Sequence, residues 1–223
     1  MKKFLVFTFV AALLASCSSK PSFELELNIL NNSSLKSKNL VIIQKINGAV
    51  VYSDTTKIKK DNFLLSVPYK GTALLNISIP ESNIKEIMMV AEEGKVQLNI
   101  EGAQTHFGGT PLNDRLQAFY LGNDSVSRLF RQIEQEYDLL SKNNPTTPQM
   151  KEEFQKKTDE FRQRRSQLLD ENTNRIVAFI KENVDNPVGE FYFMTNYIAF
   201  PMDLKMELNS FATEKLKREF NIR

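Results

Sequence analysis

Phe23-Glu24-Leu25-Glu26-Leu27-Asn28-Ile29 alternates apolar and polar residues without a break. Successive side chains of an extended chain point to opposite faces, so this period of two predicts a strand with one face buried and one wet. The same reading runs onward. Leu40 to Ile46 and Ala49 to Thr55 flank Asn47-Gly48, a dipeptide suited to the two positive-φ positions of a type I′ turn, and predict a β-hairpin. Asn62–Val67, Ala73–Ile79, Ile87–Ala91 and Val96–Ile100 are further short apolar runs, separated by Gly, Pro, Asn and Asp. Seven short strands at this spacing predict an antiparallel β-sandwich or barrel-like module over residues 23–110.

At Thr110-Pro111 the period changes. Leu112, Leu116, Phe119, Val126, Phe130, Ile133, Tyr137 and Leu140 recur every three or four residues, interrupted only near Asn123, and predict one long helix. Thr110 is placed to cap it, with Pro111 in a first turn where a missing N–H costs nothing. Thr147-Pro148 repeats the start signal for a second helix carrying Met150, Phe154, Phe161, Leu168 and Ile180. A short connection at Lys142–Thr147 folds the two helices antiparallel at small loop cost. Residues equidistant from that break come level, which sets Phe130 against Phe161. An aromatic segment, Gly189 to Phe200, and a final amphipathic helix, Asp203 to Phe220, complete a helical region over 111–223. The fold class expected is therefore α+β: a β module, a helical hairpin and two shorter C-terminal helices.

Upstream of the first strand, Lys2 and Lys3 precede an apolar run from Phe4 to Leu14. That run is too short for a bilayer span, which takes about 20 residues. It ends in Leu14-Ala15-Ser16-Cys17, small residues followed directly by the only cysteine of the chain. This resembles the lipobox of bacterial lipoproteins. The resemblance implies a signal peptide over 1–16, peptidase recognition at Leu14, Ala15 and Ser16, lipid attachment at Cys17, and a tether over 17–22. Ser18-Ser19-Lys20 lacks an acidic run resembling a surface-export signal, so the expected location is the outer membrane, facing the periplasm.

Removing residues 1–16 takes away Lys2 and Lys3 and leaves 27 basic against 27 acidic residues. A balanced chain makes no electrostatic case for nucleic acid. With Cys17 lipidated, no thiol remains for a disulfide, redox or thiolate-metal site. Neither a cofactor nor a metal is expected.

No catalytic residue is assigned. His106 has no orienting carboxylate or nucleophile at a fixed spacing and reads as a surface or packing residue. Gly108-Gly109 lacks the further glycines and the Lys of a phosphate loop and reads as a turn. Glu92-Glu93 sits on a turn where neighbouring side chains diverge into solvent. Arg162, Arg164 and Arg165 lie among Asp159, Glu160, Asp170 and Glu171, a salt-bridged helix face. Asp54-Thr55-Thr56 and Asp124-Ser125-Val126 resemble a bacterial O-glycosylation acceptor, which makes Thr55 and Ser125 candidate sites. Leu208 and Phe211 of the last helix, with Phe191 and Tyr192, are the candidate surface for a protein partner or a second copy, because the apolar residues there exceed one narrow stripe.

The chain also resembles the uncharacterised N-terminal domain that precedes a thioredoxin or peroxidase-type domain in many Gram-negative lipoproteins. The resemblance rests on the lipobox, the strand Phe23–Ile29, Ile87-Met88-Met89-Val90-Ala91-Glu92-Glu93-Gly94, Gly109-Thr110-Pro111-Leu112-Asn113 and Asn186-Pro187-Val188-Gly189. Lys60-Asp61-Asn62-Phe63 departs modestly from the Asp-Gly-Lys-Phe of those relatives. In them a CxxC redox domain follows. No Cys follows Cys17 here, so that activity does not carry over, and a stand-alone module or a truncated reading frame is expected. The function expected is a lipid-anchored, non-catalytic envelope binding or scaffold module. The alternatives are an envelope hydrolase or transferase with an Asp/Glu/Tyr site and His106, or the detached accessory half of a thiol-disulfide oxidoreductase working with a separate thioredoxin-like partner.

Overall fold

A computed structural model describes residues 23–143 and 145–222; residues 1–22, with Leu14, Ala15, Ser16, Cys17 and the tether, lie outside the described residues. Eight strands run β1 (Phe23–Leu30), β2 (Asn39–Ile46), β3 (Ala49–Lys57), β4 (Asn62–Val67), β5 (Ala73–Ser78), β6 (Ile87–Ala91), β7 (Gly94–Glu101) and β8 (Gln104–Gly108). They form two four-stranded sheets, β4-β1-β7-β8 and β3-β2-β5-β6. The alternation read from Phe23 onward sets the packing. Leu25 and Leu27 of β1 and Leu98 of β7 meet Ile42 of β2, Leu75 of β5 and Met89 of β6 in one buried core between the sheets. Asn47 and Gly48 both take positive φ, as the β2–β3 turn requires.

Two expectations are corrected. The sheets are not wholly antiparallel: β1 and β7 pair in parallel, from Phe23 opposite Gly94 to Leu30 opposite Glu101. Four of the intervening strands build the opposite sheet, and this long excursion lets β7 return alongside β1 in the same direction. There are also eight strands rather than seven. In β8 only Phe107 is buried, while Gln104 and His106 are exposed, so no alternating apolar pattern announces it.

The helices are α1 (Pro111–Ser141), α2 (Pro148–Asn183), α3 (Pro187–Asn196), α4 (Met202–Phe211) and α5 (Glu214–Glu219). The α1–α2 hairpin forms as expected, but in another register. Phe161 meets Tyr137 edge-on at 6.0 Å, and Phe119 stacks on Phe179 at 4.0 Å. Phe130 is therefore not opposite Phe161, and it is only half-buried. The chain continues past the end of α1 before α2 turns back, so the first turns of α2 overhang. The interruption near Asn123 has a cause: Arg175 of α2 reaches across, donates to the Asn123 side chain and, at 3.1 Å, to the Phe119 carbonyl, and lies over the Phe119 ring.

The expected terminal helix is two. Ala212 is extended and Thr213 starts α5 by accepting from the Leu216 amide at 3.3 Å, so three short helices follow the hairpin. They close a second core around Phe193, Phe200, Leu208 and Leu216. Gly189 is buried where α3 crosses the end of α2, and a Cβ there would collide with the Asn183 carbonyl. Alanine normally stabilises a helix relative to glycine by about 1 kcal/mol. Gly189→Ala is expected to do the opposite, destabilising by about 1–3 kcal/mol through overpacking against backbone. A raised melting midpoint would refute this contact.

Candidate binding cleft

The start of α1 is fastened to the open side of the sandwich. Asn113, fully buried, accepts from the Val90 amide at 2.9 Å through Oδ1. Its Nδ2 donates to the Val90 carbonyl and to Thr110 Oγ1, each at 2.8 Å. One turn later Gln117 Oε1 accepts from the Phe107 amide at 2.9 Å. Residues four apart share a helix face, so one face of α1 holds edge strands of both sheets, β6 through Val90 and β8 through Phe107. Thr110 does not cap the helix. Glu92 does so from the β6–β7 turn, Oε1 accepting from the amides of Leu112 at 2.8 Å and Asn113 at 3.2 Å. The reading of Glu92-Glu93 as two solvated carboxylates thus holds for exposed Glu93 and fails for half-buried Glu92.

Beyond Gln117 the helix leaves the sheet edges and two clefts open. The first, about 630 Å³, lies between β6, β8 and α1, lined by Lys85, Met88, Thr105, His106, Tyr120 and Ser125 among others. The second, about 520 Å³, lies over the outer face of the β2–β5–β6 sheet, bounded by Lys45, Leu74, Tyr120, Phe191, Tyr192 and Lys215. Glu86, Met88 and Tyr120 line both. Lys215 ties the second cleft together by donating to Glu190 of α3 and, at 2.7 Å, to Asn47 of the β2–β3 turn. Burial pushes the phenols of Tyr120 and Tyr192 upward, and Tyr192 packs edge-on against Phe119 and Phe179. Both therefore serve as neutral hydrogen-bonding groups on an aromatic wall.

The expected partner surface is not one surface. Leu208 is fully buried in the second core, packed there with Phe193, Phe200 and Leu216, and this corrects its placement. Its helix turns that position inward because the break at Ala212 folds α5 back over it. Phe211 is 46% exposed, with the Lys181 ammonium 4.6 Å from its ring centre. Phe191 and Tyr192 are half-buried in the second cleft. Thr55 is exposed on β3 and Ser125 is exposed on α1, its hydroxyl donating to the Leu121 carbonyl at 3.1 Å. Arg162 pairs with Asp159 at 3.2 Å and Arg164 with Glu136 at 2.7 Å, the ion-paired face that the sequence indicates. Gly109 adopts φ +103°, and its amide donates to Asp114 at 2.8 Å.

Sequence reading missed Asn113, Gln117, Tyr120 and Met88 as a group. Asn113 and Gln117 carry the one available signal: amides at i and i+4 in the first turns of the helix.

The architecture is a β-sandwich clasped along its open side by a helical hairpin, with a bipartite cleft at the junction. Residues 23–116 match a domain of unknown function (DUF4369). The matched region takes in the whole sandwich and the Asn113 clasp and ends inside α1. No curated protein matches the chain, and no solved structure matches it.

Proposed function

We propose that this protein is a lipid-anchored, non-catalytic binding or scaffold module of the cell envelope, held through Cys17 to the outer membrane on its periplasmic side. The observation that carries the binding role is the bipartite cleft. It joins an aromatic and methionine wall (Met88, Tyr120, Phe191, Tyr192) to a few convergent charged groups (Lys45, Glu86, Glu190, Lys215), the composition typical of a recognition site. The lipobox Leu14–Cys17 supports the anchor. Among the described residues no helix is long and apolar enough to cross a membrane. Each buried CH₂ contributes about 0.8 kcal/mol, so several acyl chains give stable attachment. Growth with a tagged fatty acid is expected to label the wild type and leave Cys17→Ser unlabelled; equal labelling would refute the anchor.

A second reading is the accessory half of a thiol-disulfide oxidoreductase with a separate thioredoxin-like partner. The resemblance to the N-terminal domains of such lipoproteins favours it. Mixed-disulfide trapping on a thioredoxin-like protein that co-purifies with this chain would support it.

A further inference from the structure

We propose that the free stretch of the β6 edge, centred on Met88, takes up an extended peptide segment of a partner protein as an added strand. This rests on the reading of the protein as a binding module and names the partner's chemistry.

In an antiparallel pair, successive residues alternate between bonding the neighbouring strand and facing away from it. Val90 faces away from β5, since its amide and carbonyl both bond Asn113. Met88, two residues earlier in the same ladder, therefore faces away too, and so its N–H and C=O point into the cleft. The same parity applies on β8. Phe107 faces Gln117, so Thr105 also presents its backbone groups to the cleft. Among the described residues neither Met88 nor Thr105 has a backbone partner beyond its own ladder.

The contrast along and across the sandwich identifies the occupant. Next door on β6 and β8, side-chain amides already complete the outward backbone groups, imitating a neighbouring strand. On β3, the other edge of the same sheet, Asp54 accepts from the Thr55 amide at 2.8 Å and Lys70 donates to the Val51 carbonyl at 3.2 Å. Such side chains blunt an edge against pairing. At Met88 the edge is neither completed nor blunted, and it lies within a cleft of about 630 Å³. Alternating N–H and C=O groups are complemented by another backbone, with apolar and aromatic walls receiving alternate side chains. Tyr120 lines that cleft, and Tyr192 and Phe191 line the adjoining cleft over the outer sheet face, which meets it at Met88 and Tyr120.

The test is selection from a displayed random library of peptides about ten residues long, the upper end of ordinary strand lengths. The strongest peptide is synthesised plain and with alternate amides N-methylated on either edge. Methylation on one edge is expected to weaken binding to the whole protein about tenfold or more, because each methyl removes an N–H donor and sets bulk against the β6 edge. Met88→Pro deletes the outward donor without touching the β5 ladder, a position where an edge strand tolerates proline. It is expected to cause a similar loss, while Met88→Leu keeps wild-type affinity. Failure to enrich any peptide above bare support overturns the proposal. So does affinity that survives methylation on both edges, or a folded Met88→Pro protein that binds as wild type. If Met88→Pro does not fold, the methylated peptides on wild-type protein decide. Binding that survives both changes but disappears in Tyr192→Ala would sink the added strand and leave the binding module standing.

Discussion

Leu208→Glu is expected to unfold the C-terminal helices, whereas Phe211→Glu, three residues later on the same helix, is expected to leave the melting midpoint almost unmoved. Leu208 has no exposed surface and sits among Phe193, Phe200 and Leu216, while Phe211 is 46% exposed. Emptying a buried leucine site alone costs about 2–5 kcal/mol. Placing a carboxylate there adds the cost of removing a charge from water, which drives the group to stay protonated instead. Together these approach the whole stability of about 5–15 kcal/mol of a typical domain. The sign with pH follows. A buried carboxyl without a cation has its folded-state pKa raised above the unfolded value near 4.3, so the folded state binds the extra proton. Stability of the variant then falls as pH rises through that interval and is least impaired near pH 4. Circular dichroism melts at pH 4 and pH 7 check both parts. A Leu208→Glu protein that melts like wild type at pH 7 would mean that the second core does not exist as described.

Asn113→Leu is expected to cost about 3–5 kcal/mol, although it replaces a polar residue by an apolar one of similar size in a buried site. The reason lies in the partners it abandons. The Val90 amide and carbonyl are both buried and both bonded to this one side chain. Each backbone group left without a partner costs about 1–3 kcal/mol, and leucine can satisfy neither. For a chain of this size the melting midpoint should fall by about 10 °C, at roughly 2–4 °C per kcal/mol. Amide exchange gives a readout that mere loosening elsewhere would not: the Val90 N–H should lose protection more than the Leu75 and Met89 amides of the same sheet. An unchanged Val90 amide would show that α1 is held to the sandwich by apolar packing alone.

Most of the elements were legible in the sequence because the signals are local. A strand with one wet face writes itself as Phe23-Glu24-Leu25-Glu26-Leu27, a type I′ turn as Asn47-Gly48, and a helix start as Thr110-Pro111 or Thr147-Pro148. Each depends on neighbours within a few residues, where backbone sterics and side-chain period act directly. The α+β class, the β-to-helix boundary near residue 110 and the helical hairpin all followed. The break at Ala212 was also local: Thr213-Glu214 is a helix-start pair that an amphipathic reading of Asp203–Phe220 passed over.

The candidate site was not legible, since it is made of relations between distant segments. That Glu92 caps a helix twenty residues on, that Asn113 completes a strand edge at Val90, and that Tyr120 meets Tyr192 depend on which edge α1 lies against. The hairpin register shows the same limit: apolar stripes on α1 and α2 dictate that they pack, but many registers bury those stripes nearly equally. Specific contacts such as Arg175 with the Phe119 carbonyl accompany the one observed. By itself, then, the sequence determined the elements, their order and their buried faces, because period and turn chemistry are short-range. Only the tertiary structure decided the parallel β1–β7 pairing, the inward turn of Leu208 and the open edge at Met88, because those are set by which long-range partner wins the same backbone groups and the same apolar surface.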